Sequence, residues 1–246
     1  MGVTITVVIP CRDDAPYLAS ALDALARQTR PADEIVVVDN GSSDDTAEVA
    51  RAHGARVVEE PVQGILRATA AGFDAATGDV LARIDADSIP PVDWLARVAA
   101  AFDGPEAPTA LTGPGRFYEI SRAGAWAGEH LYLGGYRFWL TLFLGHAPLF
   151  GSNLAMTREA WLRIRDTVHR DERRVHDDLD IAYHLTPDMT VRYDRTLVMP
   201  ISGRPFHTAS GLGRRLGWGF RTMAVNAPGQ WPWQRWSRRR CARRRS

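Results

Sequence analysis

Asp85 and Asp87 stand one residue apart at the end of the apolar run VLARIDADS, residues 80–88. Alternation in an extended chain points both carboxylates to the same side. Hard oxygen ligands in that arrangement suit a divalent cation held against a diphosphate. A second acidic group, Asp177, Asp178 and Asp180, opens a helical stretch running to Leu185, where carboxylates favour the positive end of the helix. Two more polar segments, Pro10-Cys11-Arg12-Asp13 and Asp39-Asn40-Gly41-Ser42, follow apolar runs. Each feature has a plain alternative: a solvated strand end, a helix cap, a turn. The elements that carry them decide between the two.

Residues 4–10 are a short β-branched run, and Leu18, Ala21, Leu22 and Leu25 recur at helical spacing over 17–27. The unit repeats. A strand at 34–38 leads through Gly41-Ser42-Ser43-Asp44 into a helix at 46–53, with Ser43 or Asp44 available to cap it. A strand at 56–59, a helix at 66–76 and a strand at 80–84 follow. Such alternation predicts an α/β fold: a parallel sheet covered on both faces, with a ligand crevice at the carboxyl ends of the strands. The segments beginning at Pro10, Asp39 and Asp85 each fall just past a strand's carboxyl end, so all three should line one crevice. After Phe102 the pattern loosens into a strand at 111–113, an aromatic segment at 124–150, the turn Gly151-Ser152-Asn153 before a strand at 154–156, a helix at 158–165 and a last edge strand at 192–200.

The chain has 246 residues, 45% of them hydrophobic, enough for one large domain or one domain with an embellishment, and the former is expected. Thirty basic and 29 acidic residues nearly cancel, which gives no case for a nucleic-acid partner. Every basic residue is arginine, and seven of them lie from Arg235 onward with no acid between. Without that tail the body is mildly acidic. Two cysteines far apart make neither a disulfide framework nor a zinc pattern and fit a reducing cytoplasm. No leader pattern precedes the first strand, and Arg137 and His146 interrupt the most apolar stretch, so neither secretion nor a membrane span is expected.

Taken in order, VVIPCRDD, IVVVDNGSSDDT, RIDADS and DDLDIAYHL resemble the family 2 glycosyltransferases of the GT-A fold, over most of the chain up to about Pro200. The resemblance implies a Rossmann-like, mostly parallel sheet with helices on both faces and a C-terminal acceptor-side region. It divides the chain into a nucleotide-sugar half (1–103), an acceptor and catalytic half (104–210) and an Arg/Trp-rich extension (211–246). The implied reaction moves a sugar from a nucleoside diphosphate, UDP slightly favoured, to an acceptor hydroxyl or a lipid-linked acceptor. Pro10, Arg12 and Asp39 then contact base and ribose, with Asp39 accepting the imide N–H of a uracil. Asp85 meets ribose or metal-bound water, and Asp87 ligates Mg²⁺ or Mn²⁺. Asp178 is the general base of a single inverting displacement, and Asp177 and Asn153 stand on the acceptor side. His207, in Arg-Pro-Phe-His-Thr, completes the metal shell or is simply an exposed histidine.

The chain also departs from the family pattern. Arg12 and Asp13 replace Asn and Glu, Asp177 replaces Glu, and Arg67 lies two positions before a nucleotide-binding arginine whose matching place holds Thr69. The aromatic segment reads as acceptor wall, dimer surface, membrane-facing helix or core. The Arg/Trp tail reads as an anionic-membrane contact or a disordered solubilising end, and the first would make a cytoplasmic protein peripheral on the inner membrane face. A chain without lysine fits neither a P-loop enzyme nor a lysine-dependent pyrophosphorylase, and no Gly-x-Gly-x-x-Gly follows the opening strand. The competing reading is a protein that binds nucleotide sugar without turnover.

Overall fold

The computed structural model describes residues 2–204, 209–228 and 230–243, with the side chains of 209–212 and 243 outside the description. Four strands, β1 (Ile5–Cys11), β2 (Glu34–Asp39), β3 (Arg56–Glu59) and β4 (Val80–Arg83), are parallel and lie in the order β3-β2-β1-β4. The sheet continues through β7 (Leu154–Thr157), antiparallel to both β4 and β5 (Ala110–Thr112), and ends at β8 (Val191–Tyr193), parallel to β5. The expected mostly parallel α/β sheet is present.

Strand alternation explains why both faces are covered. Ile5, Val7 and Ile9 enter one core layer with Leu18 and Leu22 of α1 (Ala15–Ala26) and Trp94 and Leu95 of α4 (Trp94–Phe102). Val8, Val36 and Val38 enter the other, against Leu66 and Phe73 of α3 (Ile65–Ala75), Trp161 of α7 (Arg158–Ile164) and Leu179 and Ile181 of α8 (Asp177–His184). Burying a side chain of this size contributes about 1.5–3 kcal/mol. Pro16 in the first turn starts α1, where its missing N–H costs nothing. Ahead of α2 (Thr46–Ala52), Asp44 accepts N–H groups from both Thr46 and Ala15, tying the start of one helix to that of another.

The edge strand expected at 192–200 is instead two strands. Asp194 accepts the N–H and hydroxyl of Thr196, a local turn that ends β8. The chain then crosses to a separate two-stranded sheet, where β9 (Met199–Ser202) pairs in parallel with β6 (Gly115–Tyr118). This small sheet clamps the Asp-x-Asp turn: Ile89 N–H donates to Pro200 O at 2.9 Å, and Tyr118 Oη donates to Asp87 O at 2.8 Å.

The aromatic segment folds as α5 (Arg122–Ala127), a π-helical turn (Gly128–Leu133) and α6 (Gly134–Leu144). Two C-terminal helices follow, α9 (Ala209–Asn226) and α10 (Pro232–Arg243). No helix is long and apolar enough to cross a membrane among the described residues.

Candidate active site

In the sheet, β2 and β4 flank β1 on opposite sides, so the direction of chain progression reverses at β1 and a crevice opens at the carboxyl ends. A cavity of about 370 Å³ lies there. It is lined by Pro10, Cys11 and Arg12 from the end of β1, Asn40 after β2, and Asp85 and Asp87 after β4. The three segments picked out in the sequence thus meet. Asp13 holds a left-handed φ of 52° and accepts the backbone N–H of Ser43 at 2.7 Å, fastening the first segment to the second.

Beneath the crevice lies Arg83, only 2% exposed. Its Nη1 is 2.7 Å from Asp85 Oδ1 and its Nη2 is 3.0 Å from Asp177 Oδ2. Asp177 also accepts the hydroxyl of Thr69 at 2.6 Å, and Asp85 accepts that of Ser152. Burial opposes charge on Asp85, but Arg83 and Ser152 outweigh it and hold this carboxyl below the usual range. Burial likewise opposes charge on Arg83, and Asp177 and Asp85 overcome it, keeping the guanidinium firmly protonated.

Asp87 and Asp178 behave in the opposite way. Burial and then the neighbouring Asp85 push the Asp87 carboxyl up, despite its 2.8 Å pair with Arg204 Nη2. Arg204 also bonds Asp14 and lies over the Tyr17 ring, 4.0 Å from its centroid. Burial and then Asp177 push the Asp178 carboxyl up; Gly151 N–H donates to its Oδ2 at 2.8 Å. Asp87 and Asp178 both line a smaller cavity of about 70 Å³ with Asp85, Ser152, Tyr132 and Tyr136. A third, of about 410 Å³, reaches Asp177 and Asp178 beside His176 and Trp218. Arg215 of α9 lines all three cavities. Cys11 contributes no nucleophile: burial and then Asp14 raise its thiol to about 12.

Other residues singled out in the sequence fall outside the cavity walls. Asp39 stands at the same sheet edge beside Asn40 and accepts the Ser42 N–H at 2.9 Å. Arg67 pairs with Asp171. Asn153, expected near an acceptor sugar, is 1% exposed and is a strut: its amide nitrogen donates to Leu197 O at 2.6 Å and its oxygen accepts Trp94 Nε1–H at 3.0 Å. Its neighbour Ser152 faces the cavity instead. His207 lies outside the described residues. Sequence reasoning missed Arg83, Arg204 and Arg215; only Arg83 carried a signal, a charge inside an otherwise apolar strand two residues before Asp85.

The outer surface near the site is unusual. Trp126, Leu131, Phe138 and Trp139 of the α5–α6 segment are more than half exposed, as are Phe220 of α9 and Trp233 of α10. Trp236 Nε1–H donates to Leu142 O at 2.8 Å, joining α10 to α6. The described tail arginines divide between two faces. Arg235 and Arg239, one helical turn apart, are buried; Arg235 donates to Leu144 O and Tyr183 O, and Arg239 to Met189 O and Leu185 O. Arg238 and Arg240 point outward.

Residues 6–164 match the family model described as glycosyl transferase family 2. An uncharacterized glycosyltransferase of Mycobacterium tuberculosis is 42% identical over 102 residues, covering 42% of this chain and 45% of that protein. Glycosyltransferase AglE of Haloferax volcanii is 33% identical over 108 residues, covering 41% and 36%. The chain thus spans less than half the length of the curated relatives it matches. Among solved structures, glucosyl-3-phosphoglycerate synthase of Mycobacterium tuberculosis, in complex with Mn²⁺, UDP and glucosyl-3-phosphoglycerate, superposes with a TM-score of 0.68 at 21% identity, covering 92% of this chain and 80% of the other. Mannosyltransferase PcManGT of Pyrobaculum calidifontis, in complex with GDP-Man and Mn²⁺, gives 0.61 at 23% identity, covering 81% and 57%. These neighbours share the fold.

Proposed function

The chain belongs to glycosyl transferase family 2, and from that premise we propose that it transfers a sugar, with inversion, from a nucleoside diphosphate to an acceptor hydroxyl. The observation that carries this reading is the meeting of Asp87 and Asp178 in one cavity, the first adjoining the donor crevice and the second the acceptor side. We assign residues 1–103 to donor binding, 104–210 to the acceptor and its activation, and 211–246 to an extension.

In this reading the diphosphate lies in the crevice at the end of β1, where Arg12, Arg173, Arg204 and Arg215 supply positive charge. Pro10 and Arg12 border the nucleoside, and Asp39 at the neighbouring strand end favours the imide N–H of UDP. Arg67, once released from Asp171, is a further nucleotide contact. The donor set at Asp87 and Asp85 suits a hard divalent cation, since the two carboxylates face one space and burial, then the neighbouring Asp85, raises the Asp87 carboxyl, a repulsion that a cation would relieve. Asp87 would hold Mg²⁺ or Mn²⁺, and the ion would supply Lewis-acid neutralisation of the leaving diphosphate. Asp178 takes the proton of the acceptor hydroxyl. The hydroxyl oxygen bonds to the anomeric carbon while the bond to the diphosphate breaks, and the nucleoside diphosphate leaves with the electron pair. Asp177, held by Arg83, fixes the helix turn that carries the base.

A screen of UDP-, GDP- and dTDP-sugars with Mn²⁺ or Mg²⁺ tests the proposal. Binding with slow metal-dependent hydrolysis of one donor is expected. Binding without any turnover would favour the silent nucleotide-sugar-binding alternative, and no binding at all would end both.

The exposed aromatic band favours a lipid-linked acceptor at an anionic membrane surface. Trp side chains suit the interface, and each outward arginine adds about 1 kcal/mol near charged lipid. Tyr132 and Tyr136, on the same helical segment as Phe138 and Trp139, line the acceptor cavity, so a docked band puts the base near the headgroups. Co-sedimentation with anionic but not zwitterionic vesicles, reduced by the paired change Trp139→Ser and Trp233→Ser, is expected. Equal pelleting of wild type and variant would remove the membrane from the account.

A further inference from the structure

Behind the base-carrying turn, α8 presents a cluster that the transfer reaction does not use. Asp180 and His184, four residues apart, share one face of the helix, and His169 approaches from the segment joining α7 to α8. We propose that His169, Asp180 and His184 form a second divalent-metal site, for a borderline cation such as Zn²⁺, that clamps the helix bearing Asp178.

The geometry matches a metal shell. One ligand atom from each residue falls within 4.8 Å of the other two. His169 Nδ1 is 2.8 Å from Asp180 Oδ1, and His184 Nε2 is 3.4 Å from that Nδ1 and 3.7 Å from Asp180 Oδ2. Zinc bonds of about 2.0–2.1 Å in a tetrahedron set ligand atoms roughly 3.3 Å apart, within the range spanned here. Two imidazoles and a carboxylate are the ligand types that borderline cations select over Mg²⁺ or Ca²⁺.

Charge points the same way. Asp180 is fully buried and accepts the backbone N–H of His169 at 3.0 Å, yet among the described residues its ion-pair partners are only the two histidines. Asp177, three residues earlier and similarly buried, has a permanent cation in Arg83. Hydrogen bonds offset part of the cost of a buried carboxylate without one, and a positive centre would offset more. Asn226 of α9, 2% exposed, donates to Asp180 Oδ1 at 2.8 Å and to Thr222 O at 3.0 Å, while its own amide oxygen is buried with no partner. An unused hard acceptor therefore adjoins the cluster. His169 is one-third exposed, which leaves a path for the ion and a position open to water. Occupied, the site would tie the segment carrying His169 to α8.

Chelator-treated protein titrated with Co²⁺ gives the test, since tetrahedral Co²⁺ has intense visible ligand-field bands and Zn²⁺ displaces it. A one-equivalent band is expected in wild type and in Asp87→Asn, whose donor-side ligand is gone, and is expected to vanish in His169→Ala. Wild-type protein also carries the test without any substitution, because Zn²⁺ should shift the imidazole NMR resonances of His169 and His184. No band in wild type, a band unchanged in folded His169→Ala, or unmoved His169 and His184 resonances would overturn the site. No nucleotide sugar enters either experiment, so failure here is separate from failure of the transferase reading.

Discussion

The floor and the walls of the crevice are built from the same residue type and differ in the partners that hold each carboxylate. On the floor, Asp85 and Asp177 share the buried guanidinium of Arg83 and take hydroxyl bonds from Ser152 and Thr69. On the walls, Asp87 pairs with the part-exposed Arg204 among the described residues, and Asp178 has the backbone N–H groups of Gly151 and Leu179. Each acidic motif contributes one residue to each part: Asp85 and Asp87 from one, Asp177 and Asp178 from the other. A carboxylate paired with a buried cation is a structural member. Its neighbour, left short of positive charge, is available to a metal or a proton.

The contrast is most easily broken at Arg83. Arg83→Met strands the buried Asp177 and takes the cation from the part-exposed Asp85, and loss of about 3–5 kcal/mol of stability is expected in urea denaturation. A loss below about 1 kcal/mol would mean that the floor is not held by charge. A smaller effect is expected at Gly151, where a Cβ would stand 2.3 Å from Arg83 Nη1 and 3.4 Å from Asp178 Oδ2. Gly151→Ala should cost about 1–3 kcal/mol in the same assay, as overpacking does. It should also impair turnover, because the same peptide N–H orients Asp178.

Smaller still is a pH effect on the wall. The folded-state pKa of Asp178 is raised, so the native protein binds that proton more tightly than the unfolded chain. Its contribution to stability is therefore full below the ordinary carboxylate value near 4 and is lost as pH rises through the elevated folded value. Thermal melts across that window should show wild type losing stability relative to Asp178→Asn as pH rises. The opposite trend would indicate an unseen cation partner for Asp178. Turnover should move inversely, with an acidic limb above the usual carboxylate range, since only the ionised form accepts a proton.

Much of this contrast was legible in the sequence, because strand–helix alternation fixes which end of the sheet carries each polar segment. Asp85 and Asp87 were placed that way, whereas Asp178 was singled out by the acidic opening of its helix and by the resemblance of DDLDIAYHL to a family element. The failures have local causes. Asn153 and Ser152 are adjacent in a tight 3₁₀ turn (Gly151–Asn153), and which of them faces the cavity depends on backbone rotation that composition does not encode. The split of residues 192–200 depends on the Asp194 turn and on pairing with β6, more than 70 residues earlier in the chain. The arginine tail reads as a uniform basic run. Only a docked helix shows that Arg235 and Arg239 cap buried carbonyls while Arg238 and Arg240 remain outside. Arg204 and Arg215 sit in segments with no motif, brought to the crevice by β9 and α9.

The most direct test of the division between floor and walls is Asp178→Asn, assayed for donor binding and for transfer in parallel. Transfer should fall by about 10²–10⁴-fold, the usual contribution of a positioned base, while donor affinity stays within about threefold because the floor is untouched. Transfer within tenfold of wild type would contradict the assignment of Asp178 as the proton acceptor.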